Sequence, residues 1–138
     1  MQNFYELTIN TKGQGLYSFT KETVNWVRKQ KIENGILNLS ILHTSASLIV
    51  QENADPNVLH DIKSFFDRLV PMNTDLYKHK TEGLDDMPAH LKTMLTNTQL
   101  TLSVKNRDLI LGTWQGVYLF EHRLENQERT ISYHLMGD

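Results

Sequence analysis

The sequence predicts a single compact domain of mixed β-strands and α-helices, joined mainly by hairpin-type connections. Its 138 residues fit one domain, 1–138, and leave little room for a second. Short runs with period-2 apolar alternation, which is typical of strands, are interspersed with segments that carry apolar residues at helical spacing. The 7 glycines and 3 prolines fall between these segments, and no repeat or low-complexity linker interrupts them.

The chain begins with a predicted strand, a loop and a helix. Residues 4–10 alternate as a strand should, and Gly13 and Gly15 mark the loop. Residues 18–30 carry apolar side chains at helical spacing, and their first residue or Thr20 is available as the N-cap.

The next predicted strand, residues 35–43, ends in a change of phase. One apolar set precedes Thr44-Ser45 and a set of the opposite parity follows it: Leu37, Leu39 and Ile41, then Ala46, Leu48 and Val50. Because a period-2 pattern changes phase only through an inserted residue or a break, a bulge or tight turn is expected at Thr44-Ser45. Such kinks often direct side chains into active sites.

Asp55-Pro56 is a strong helix start, with Asp55 as the cap and proline in the first turn. Apolar residues at helical spacing continue to Pro71, which ends the helix. Residues 72–86 have no clear periodicity, and loops of that length are usually functional or disordered. A short helix, residues 88–95, is expected to be capped by Asp86.

The last third of the chain is predicted to be rich in strands. The predicted strands are 100–104, 109–111, 117–123 and 130–136. Turns at 106–108 and 125–128 and an interruption at 112–116 separate them. In the strand after the interruption, Val117, Leu119 and Glu121 share one face. On the opposite face, Tyr118 and Phe120 are available to meet a neighbouring subunit.

Composition excludes several classes of protein. The chain has no cysteine, so disulfides and thiolate metal sites are excluded. A net charge of −2 without clustered basic residues argues against nucleic-acid binding. No apolar run approaches the length of a membrane span, and no leader segment is apparent at Met1, so a cytoplasmic protein is expected.

Three histidines lie where elements end or begin: His43 before the kink, His79 in the long loop and His90 in the short helix. Imidazoles are common ligands of zinc and similar metals, and nearby carboxylates such as Asp86 and Glu121 can complete a coordination shell or act as a base. The spacing matches no standard zinc signature. The alternative is that these histidines and acids are structural, His43 bonded to backbone and the acids serving as caps.

The segment Gly112-Thr-Trp-Gln-Gly116 places two glycines around a tryptophan and an amide. Trp114 can stack on a flat ring and Gln115 can bind the polar edge of such a ring. A β-bulge with Trp114 packed in the core or in a subunit interface is the alternative. Of the basic residues that suit an anionic substrate, Lys92 is favoured because it follows His90 by two positions, ahead of Lys78, Lys80, Arg123 and Arg129.

A series of motifs occurs in order along nearly the whole chain: His43-Thr-Ser-Ala-Ser47, Glu52-Asn-Ala-Asp-Pro56, Tyr77-Lys-His79, Asp85-Asp-Met-Pro-Ala-His-Leu-Lys92, Leu111-Gly-Thr-Trp-Gln-Gly116 and Glu121. This series resembles the YjbQ family, also described as secondary thiamine-phosphate synthases. The resemblance implies an α+β fold with mainly antiparallel sheet and about three helices. It also implies a homotrimer with histidine-rich, metal-binding sites near the subunit interfaces.

The activity that the resemblance implies is the joining of a pyrimidine diphosphate to a thiazole phosphate with loss of diphosphate, as a side activity. The roles carried over by matching positions are catalytic for Ser45, Glu52, Asp55, Lys92, Gln115 and Glu121, cofactor-binding for Asn53 and Trp114, and metal-binding for His43, His79, His90 and Asp86. Zinc, magnesium and manganese are not distinguished. Many relatives continue with Glu-Phe-Asp-Gly-Pro-Arg where this chain has Glu121-His-Arg-Leu-Glu-Asn126, which puts Arg123 and Arg129 in doubt.

Other functions fit the same residues. The protein is expected to act on a small phosphorylated metabolite, with the synthase reaction first and a metal-dependent hydrolase as the alternative enzyme. A non-catalytic trimer that binds a small anionic ligand is the third hypothesis, and a purely structural partner protein is the fourth.

Overall fold

The computed structural model describes residues 1–138, with residue 74 described by its backbone alone. The elements are β1 (Gln2–Lys12), β2 (Gly15–Ser18), α1 (Thr20–Arg28), β3 (Gly35–Ile41), β4 (Ala46–Glu52), α2 (Pro56–Leu69), a 3₁₀ turn (Thr74–Leu76), α3 (Asp86–Leu95), β5 (Gln99–Lys105), β6 (Asp108–Leu109), β7 (Gln115–Glu121) and β8 (Asn126–Gly137).

The strands form two antiparallel sheets. The larger has the order β1-β8-β3-β5-β6 and the smaller the order β2-β7-β4. The first and last strands of the chain pair along their whole lengths, from Gln2 opposite Met136 to Lys12 opposite Asn126. The predicted α+β class, with antiparallel sheet, three helices and one compact domain, is confirmed.

The core is formed by alternate residues of the strands, which point into one continuous apolar cluster. Leu37 and Leu39 of β3 are fully buried in it together with Leu48 of β4 and Leu119 of β7. Burial of each such side chain contributes about 1.5–3 kcal/mol. The opposite face of the smaller sheet carries Phe120, which packs edge-on against Phe66 of α2 with ring centroids 5.5 Å apart.

The phase change at Thr44-Ser45 has a larger cause than a bulge. The chain bends there because it leaves the five-stranded sheet at the end of β3 and enters the three-stranded sheet at β4. The inward face of β4 belongs to a different sheet, so the apolar set takes the opposite parity. The kink is therefore confirmed, and it is the point at which one chain segment joins the two sheets.

Two local predictions near the start of the chain are wrong. The segment around Gly15, expected to be loop, forms β2, because its backbone pairs with the distant β7. Neither Ser18 nor Thr20 caps α1, whose N-cap position is Phe19 without a side-chain hydrogen bond. The Thr20 hydroxyl instead accepts the backbone N–H of Val117 at 2.9 Å, so it fastens the helix to β7.

Asp55 caps α2 as predicted, its carboxylate accepting the backbone N–H of Asn57 at 2.9 Å. At α3 the prediction is wrong, because the helix begins at Asp86 and the preceding Asp85 makes no capping bond. Both carboxylates bind other partners, described below.

The expectation that Tyr118 and Phe120 meet a neighbouring subunit is wrong as stated, because both are buried within the chain, at 4% and 2% exposure. Among the described residues, no helix is long and apolar enough to span a membrane.

Candidate functional site

Two histidines and an aspartate converge on one point at the surface. The Nε2 atom of His79 lies 2.6 Å from Oδ2 of Asp86, and Nε2 of His90 lies 3.2 Å from the same oxygen. The potential ligand atoms of the three residues all lie within 4.8 Å of one another. The predicted convergence of the long loop and the short helix is therefore present in the fold.

The local structure explains why these side chains meet. Asp86 and His90 are four residues apart in α3, so they lie on the same face of the helix. The Nδ1 atom of His90 lies 3.0 Å from the backbone carbonyl oxygen of Thr44, at the kink between the sheets. Because a carbonyl only accepts, Nδ1 carries a proton in this contact, which fixes the ring with Nε2 facing the Asp86 carboxylate. Nε2 would release any proton that it carries on binding a metal ion.

Arg123, which follows β7, connects the acids of the site. Its Nε donates to Asp85 Oδ2 at 2.9 Å, Nη1 donates to Asp86 Oδ1 at 2.7 Å, and Nη2 donates to the Glu82 carbonyl at 2.9 Å. Asp85 also accepts the backbone N–H of Leu124 at 2.8 Å. These bonds are the reason that neither aspartate caps α3.

A glycine allows the loop to reach this arrangement. Gly83 has φ of +110°, a conformation that side-chain-bearing residues rarely adopt. A Cβ at this position would lie 2.9 Å from Asp85 Oδ1. Glycine therefore lets the loop approach the Asp85 carboxylate.

Both aspartates are held in the ionised form. Burial raises the pKa of Asp86, but the hydrogen bond from His79 and the positive charge of Arg123 outweigh it, and the pKa is lowered. Burial likewise raises the pKa of Asp85, and the bonds from Leu124 and Arg123 bring it below its ordinary value. An ionised carboxylate beside two imidazoles is an attractive environment for a cation.

The donor set fits a divalent metal ion. Two imidazole nitrogens and one carboxylate oxygen suit zinc, manganese or iron-type ions, and three protein ligands leave coordination positions open for a substrate or water. The side chain of Asp86 is 3% exposed, whereas those of His79 and His90 are 41% and 33% exposed. The aspartate therefore lies at the bottom of the site, and the two histidines lie at its rim. Two cavities, of about 280 Å³ and 300 Å³, lie elsewhere, one beside β1 and β2 and one beneath α2.

A buried ion pair lies near the cluster of His79, Asp86 and His90, and Arg123 connects the two. The guanidinium of Arg129 binds both oxygens of Glu121, at 2.8 and 2.6 Å, and its Nη2 also donates to Ser45 Oγ at 3.0 Å. Thr11 donates to Glu121 at 2.6 Å. Ser45 and Glu121, both predicted to be catalytic, are thus buried and bonded to Arg129. They touch the cluster only indirectly, since Glu121 also accepts the backbone N–H of Arg123.

His43 lies outside the cluster. Its Nε2 accepts the backbone N–H of Thr130 at 2.8 Å, so that lone pair is already used. Partial burial and then the charge of Arg129 lower its pKa, so it is neutral at pH 7. The backbone-bonded alternative describes this contact, and the metal-binding role of His43 stays a prediction.

A second group of predicted residues lies at the far end of the β4–β7 ladder. Ala46 pairs with Glu121 near the cluster, and Glu52 pairs with Gln115 six residues further along. Six residues of strand span about 20 Å, so Glu52, Asn53 and Gln115 are separated from the histidines by the length of the sheet. The structure does not bring the predicted residues into a single pocket within one chain.

The contacts at this far end hold the loop before β7. The side-chain oxygen of Gln115 accepts the Gly112 N–H at 2.7 Å, and the Asn53 N–H donates to the Trp114 carbonyl at 2.9 Å. Trp114 itself is 64% exposed. Asp55 lies nearby as the cap of α2. The roles predicted for these residues in binding and catalysis stay predictions.

Lys92 is directed away from the histidines. It is 3% exposed and donates to Asp67 of α2 at 2.7 Å, so its charge is already paired. The same helix that presents His90 on one face therefore presents Lys92 on another. Lys78 and Lys80, which flank His79 and are exposed, are the better basic candidates.

Sequence reasoning undervalued Arg123 and Arg129 and did not identify Thr44 as a partner of His90. The two arginines follow Glu121 by two and eight residues, and a buried glutamate on the apolar face of a strand requires a positive partner. That requirement was the available signal for Arg129. The carbonyl of Thr44 could not be predicted as the partner of His90, because every residue has a backbone carbonyl.

The chain is similar to proteins of one family. A sequence profile described as "UPF0047 protein YjbQ-like" matches residues 5–138. A UPF0047 protein of Synechocystis is 46% identical over 132 residues, 96% of this chain and 90% of that protein. The UPF0047 protein YjbQ of Escherichia coli O157:H7 is 42% identical over 133 residues, 96% of each chain.

The fold is also found in solved structures. The crystal structure of an uncharacterized YjbQ/UPF0047 protein from Clostridium acetobutylicum aligns with a TM-score of 0.88 at 29% identity, covering 96% of this chain and 99% of that one. A hypothetical protein from Aeropyrum pernix aligns with a TM-score of 0.89 at 26% identity, covering 99% of both chains.

Proposed function

This chain belongs to the YjbQ-like UPF0047 family, and on that premise we propose that it is a metal-assisted enzyme that acts on small phosphorylated metabolites. The reaction we propose is the one expected from the sequence, the joining of a pyrimidine diphosphate to a thiazole phosphate, as a side activity.

The observation that carries the proposal is the His79, Asp86 and His90 constellation. The ligand atoms are mutually close, Asp86 is buried, and the bond of Nδ1 to the Thr44 carbonyl orients the His90 ring so that Nε2 faces Asp86. The bond from the second ring nitrogen of His90 to a backbone carbonyl is the kind of outer contact that metal-ligating histidines make in proteins.

The chemistry is consistent with this donor set. In the coupling reaction the bond between carbon and the diphosphate oxygen breaks, the thiazole nitrogen bonds to that carbon, and diphosphate leaves with the electron pair. A divalent ion held by the three residues would neutralise charge on the leaving diphosphate. Lys78 and Lys80, exposed on either side of His79, supply further positive charge, a task that Lys92 is too buried to perform.

We also propose that the protein is a cytoplasmic homotrimer with the sites near its subunit interfaces. Support comes from the exposed apolar side chains: Phe65 and Leu69 of α2 are 50% and 53% exposed, and Met94 and Leu95 of α3 are 72% and 54% exposed. Exposed apolar surface on a small domain is typical of an association surface.

The first experiment measures metal content and turnover together. We expect purified wild-type protein to bind one divalent ion per chain by calorimetry, and His90→Ala to weaken that binding at least tenfold, because one of three ligands is lost. Formation of thiamine phosphate from the two substrates should require the metal and fall by at least the same factor. His60→Ala is the matched control, since His60 is an exposed histidine of α2 whose only described partner is Asp61.

The outcomes separate the candidate functions. A wild-type protein that binds no divalent ion, or a His90→Ala variant that retains full metal affinity, would falsify the proposed metal site. Metal-dependent release of phosphate from simple phosphate esters, without coupling, would establish the hydrolase in place of the synthase. Metal binding without turnover of either kind would favour the ligand-binding trimer.

A further inference from the structure

We propose that Arg123 is the positioning residue of this site: it holds Asp86 so that a single carboxylate oxygen faces the two histidines. The inference rests on the metal site proposed above and assigns to it a residue that is not itself a ligand.

The two oxygens of Asp86 have separate partners. Oδ1 accepts from Arg123 Nη1 at 2.7 Å, while Oδ2 lies 2.6 Å from His79 Nε2 and 3.2 Å from His90 Nε2. Because the carboxylate is planar and one oxygen is held, rotation toward two-oxygen binding would break the Arg123 bond. Asp86 therefore offers one ligand atom, which together with the two imidazoles leaves positions open for a substrate.

Arg123 is itself fixed by more than this one bond. Its side chain also donates to Asp85 Oδ2 at 2.9 Å and to the Glu82 carbonyl at 2.9 Å, and its backbone N–H donates to Glu121 Oε2 at 3.2 Å. The whole Arg123 side chain is 19% exposed. Its planar fork can bind two carboxylates and a carbonyl at once, which a lysine ammonium on a flexible stem cannot reproduce.

Arg123 also balances charge. Asp85 and Asp86 are adjacent and both ionised, and the Arg123 guanidinium contacts both of them. Without it, the mutual repulsion of the carboxylates would favour a different side-chain arrangement. The positive charge lies on the Oδ1 side of Asp86, opposite the histidines, so it offsets the repulsion without occupying the cation position.

The test compares Arg123→Met and Arg123→Lys with Arg28→Met. Arg28 is the matched control, because it also binds a carboxylate through two nitrogens, with Asp108 at 2.9 and 3.1 Å, but lies exposed on α1. We expect Arg123→Met to weaken Co²⁺ affinity by roughly 10- to 100-fold, the usual effect of losing a residue that orients a ligand, and to change the visible absorption of the Co²⁺ protein. Arg123→Lys should fall between Arg123→Met and the wild type, and Arg28→Met should match the wild type.

A second readout needs no metal. In the metal-free protein, the imidazole nitrogen signals of His79 and His90 should shift in Arg123→Met and stay in place in Arg28→Met, because Asp86 is released only in the former. If wild-type protein binds no Co²⁺, the proposed function fails and these signals alone decide the role of Arg123. Unchanged signals, or a folded Arg123→Met variant with wild-type cobalt affinity and spectrum, would overturn the inference. Should Arg123→Met not fold, wild-type affinity and spectrum in Arg123→Lys would overturn it equally.

Discussion

The imidazole of His122 is buried just after β7, at 1% exposure, with Nε2 2.9 Å from Ser47 Oγ. Its Nδ1 has no hydrogen-bond partner among the described residues. Burial, followed by the charges of Lys92 and Arg129, lowers the pKa of His122 to about 3. The residue is therefore neutral in the folded protein, although the same imidazole in the unfolded chain titrates near 6.5.

This difference predicts an acid dependence of stability. The unfolded chain binds a proton at His122 between pH 6.5 and 3 and the folded chain does not. The contribution of His122 to stability is therefore constant above pH 6.5 and falls below it. At pH 5 the loss from this residue is about 2 kcal/mol. We expect His122→Gln to lose less stability between pH 7 and pH 5 than the wild type does in chemical denaturation. His60→Gln should behave as the wild type, and a His122 signal titrating near pH 6.5 by NMR would contradict the prediction.

A side chain of the candidate site could be predicted from the sequence where nearby residues determine its position. His79, Asp86 and His90 could be chosen because loop and helix-start positions are apparent in the chain. Lys92 is two residues from His90, and sequence proximity suggested a shared role. The helix turns by about 200° over two residues, however, so the two side chains point apart. Gln115 belongs to the motif Gly112-Thr-Trp-Gln-Gly116. Nothing in that motif indicates that the pairing of β4 with β7 places Gln115 at the other end of the sheet.

Among the elements, α2 was predictable because its signals are local: a capping aspartate, a proline in the first turn and apolar residues at helical spacing. β2 was not, because its four residues, Gly15–Ser18, acquire strand structure only by pairing with β7, a hundred residues later. The kink at Thr44-Ser45 lies between these cases. The change of phase is visible in the chain, but the existence of two sheets is a property of the whole fold.

The cap of α2 allows structural and chemical roles of Asp55 to be separated. Asp55 accepts the Asn57 N–H, and loss of such a cap costs about 1 kcal/mol. We expect Asp55→Ala to lose about that much stability in urea denaturation. Asp55→Asn should keep most of it, because asparagine also caps helices.

Turnover of Asp55→Asn then reports the predicted catalytic role, since this variant removes the charge and retains the cap. A large loss of activity without loss of stability would support chemistry at Asp55. Equal stability of Asp55→Ala and the wild type would contradict the capping energetics.

At the scale of the whole molecule, the strand length of about 20 Å separates the histidines of the site from Glu52, Asn53 and Gln115. This distance limits how the two groups of residues can come together. If both groups serve one reaction, they must meet between chains. We expect light scattering after size-exclusion chromatography to give three times the 16.0 kDa mass of the chain. A monomeric mass would rule out the trimer, and Phe65→Glu should lower the measured mass if the exposed face of α2 takes part.

The pairing of β1 with β8 has a consequence for biosynthesis. β1 is translated before its partner strand, every residue of which follows it by more than a hundred positions. At about 5–20 residues per second, a ribosome needs on the order of ten seconds to deliver that partner. During this interval the nascent β1 has both backbone edges unpaired. The larger sheet is therefore completed late in synthesis. Until β8 has been made, the unpaired edges of β1 expose the nascent chain to incorrect association with other chains.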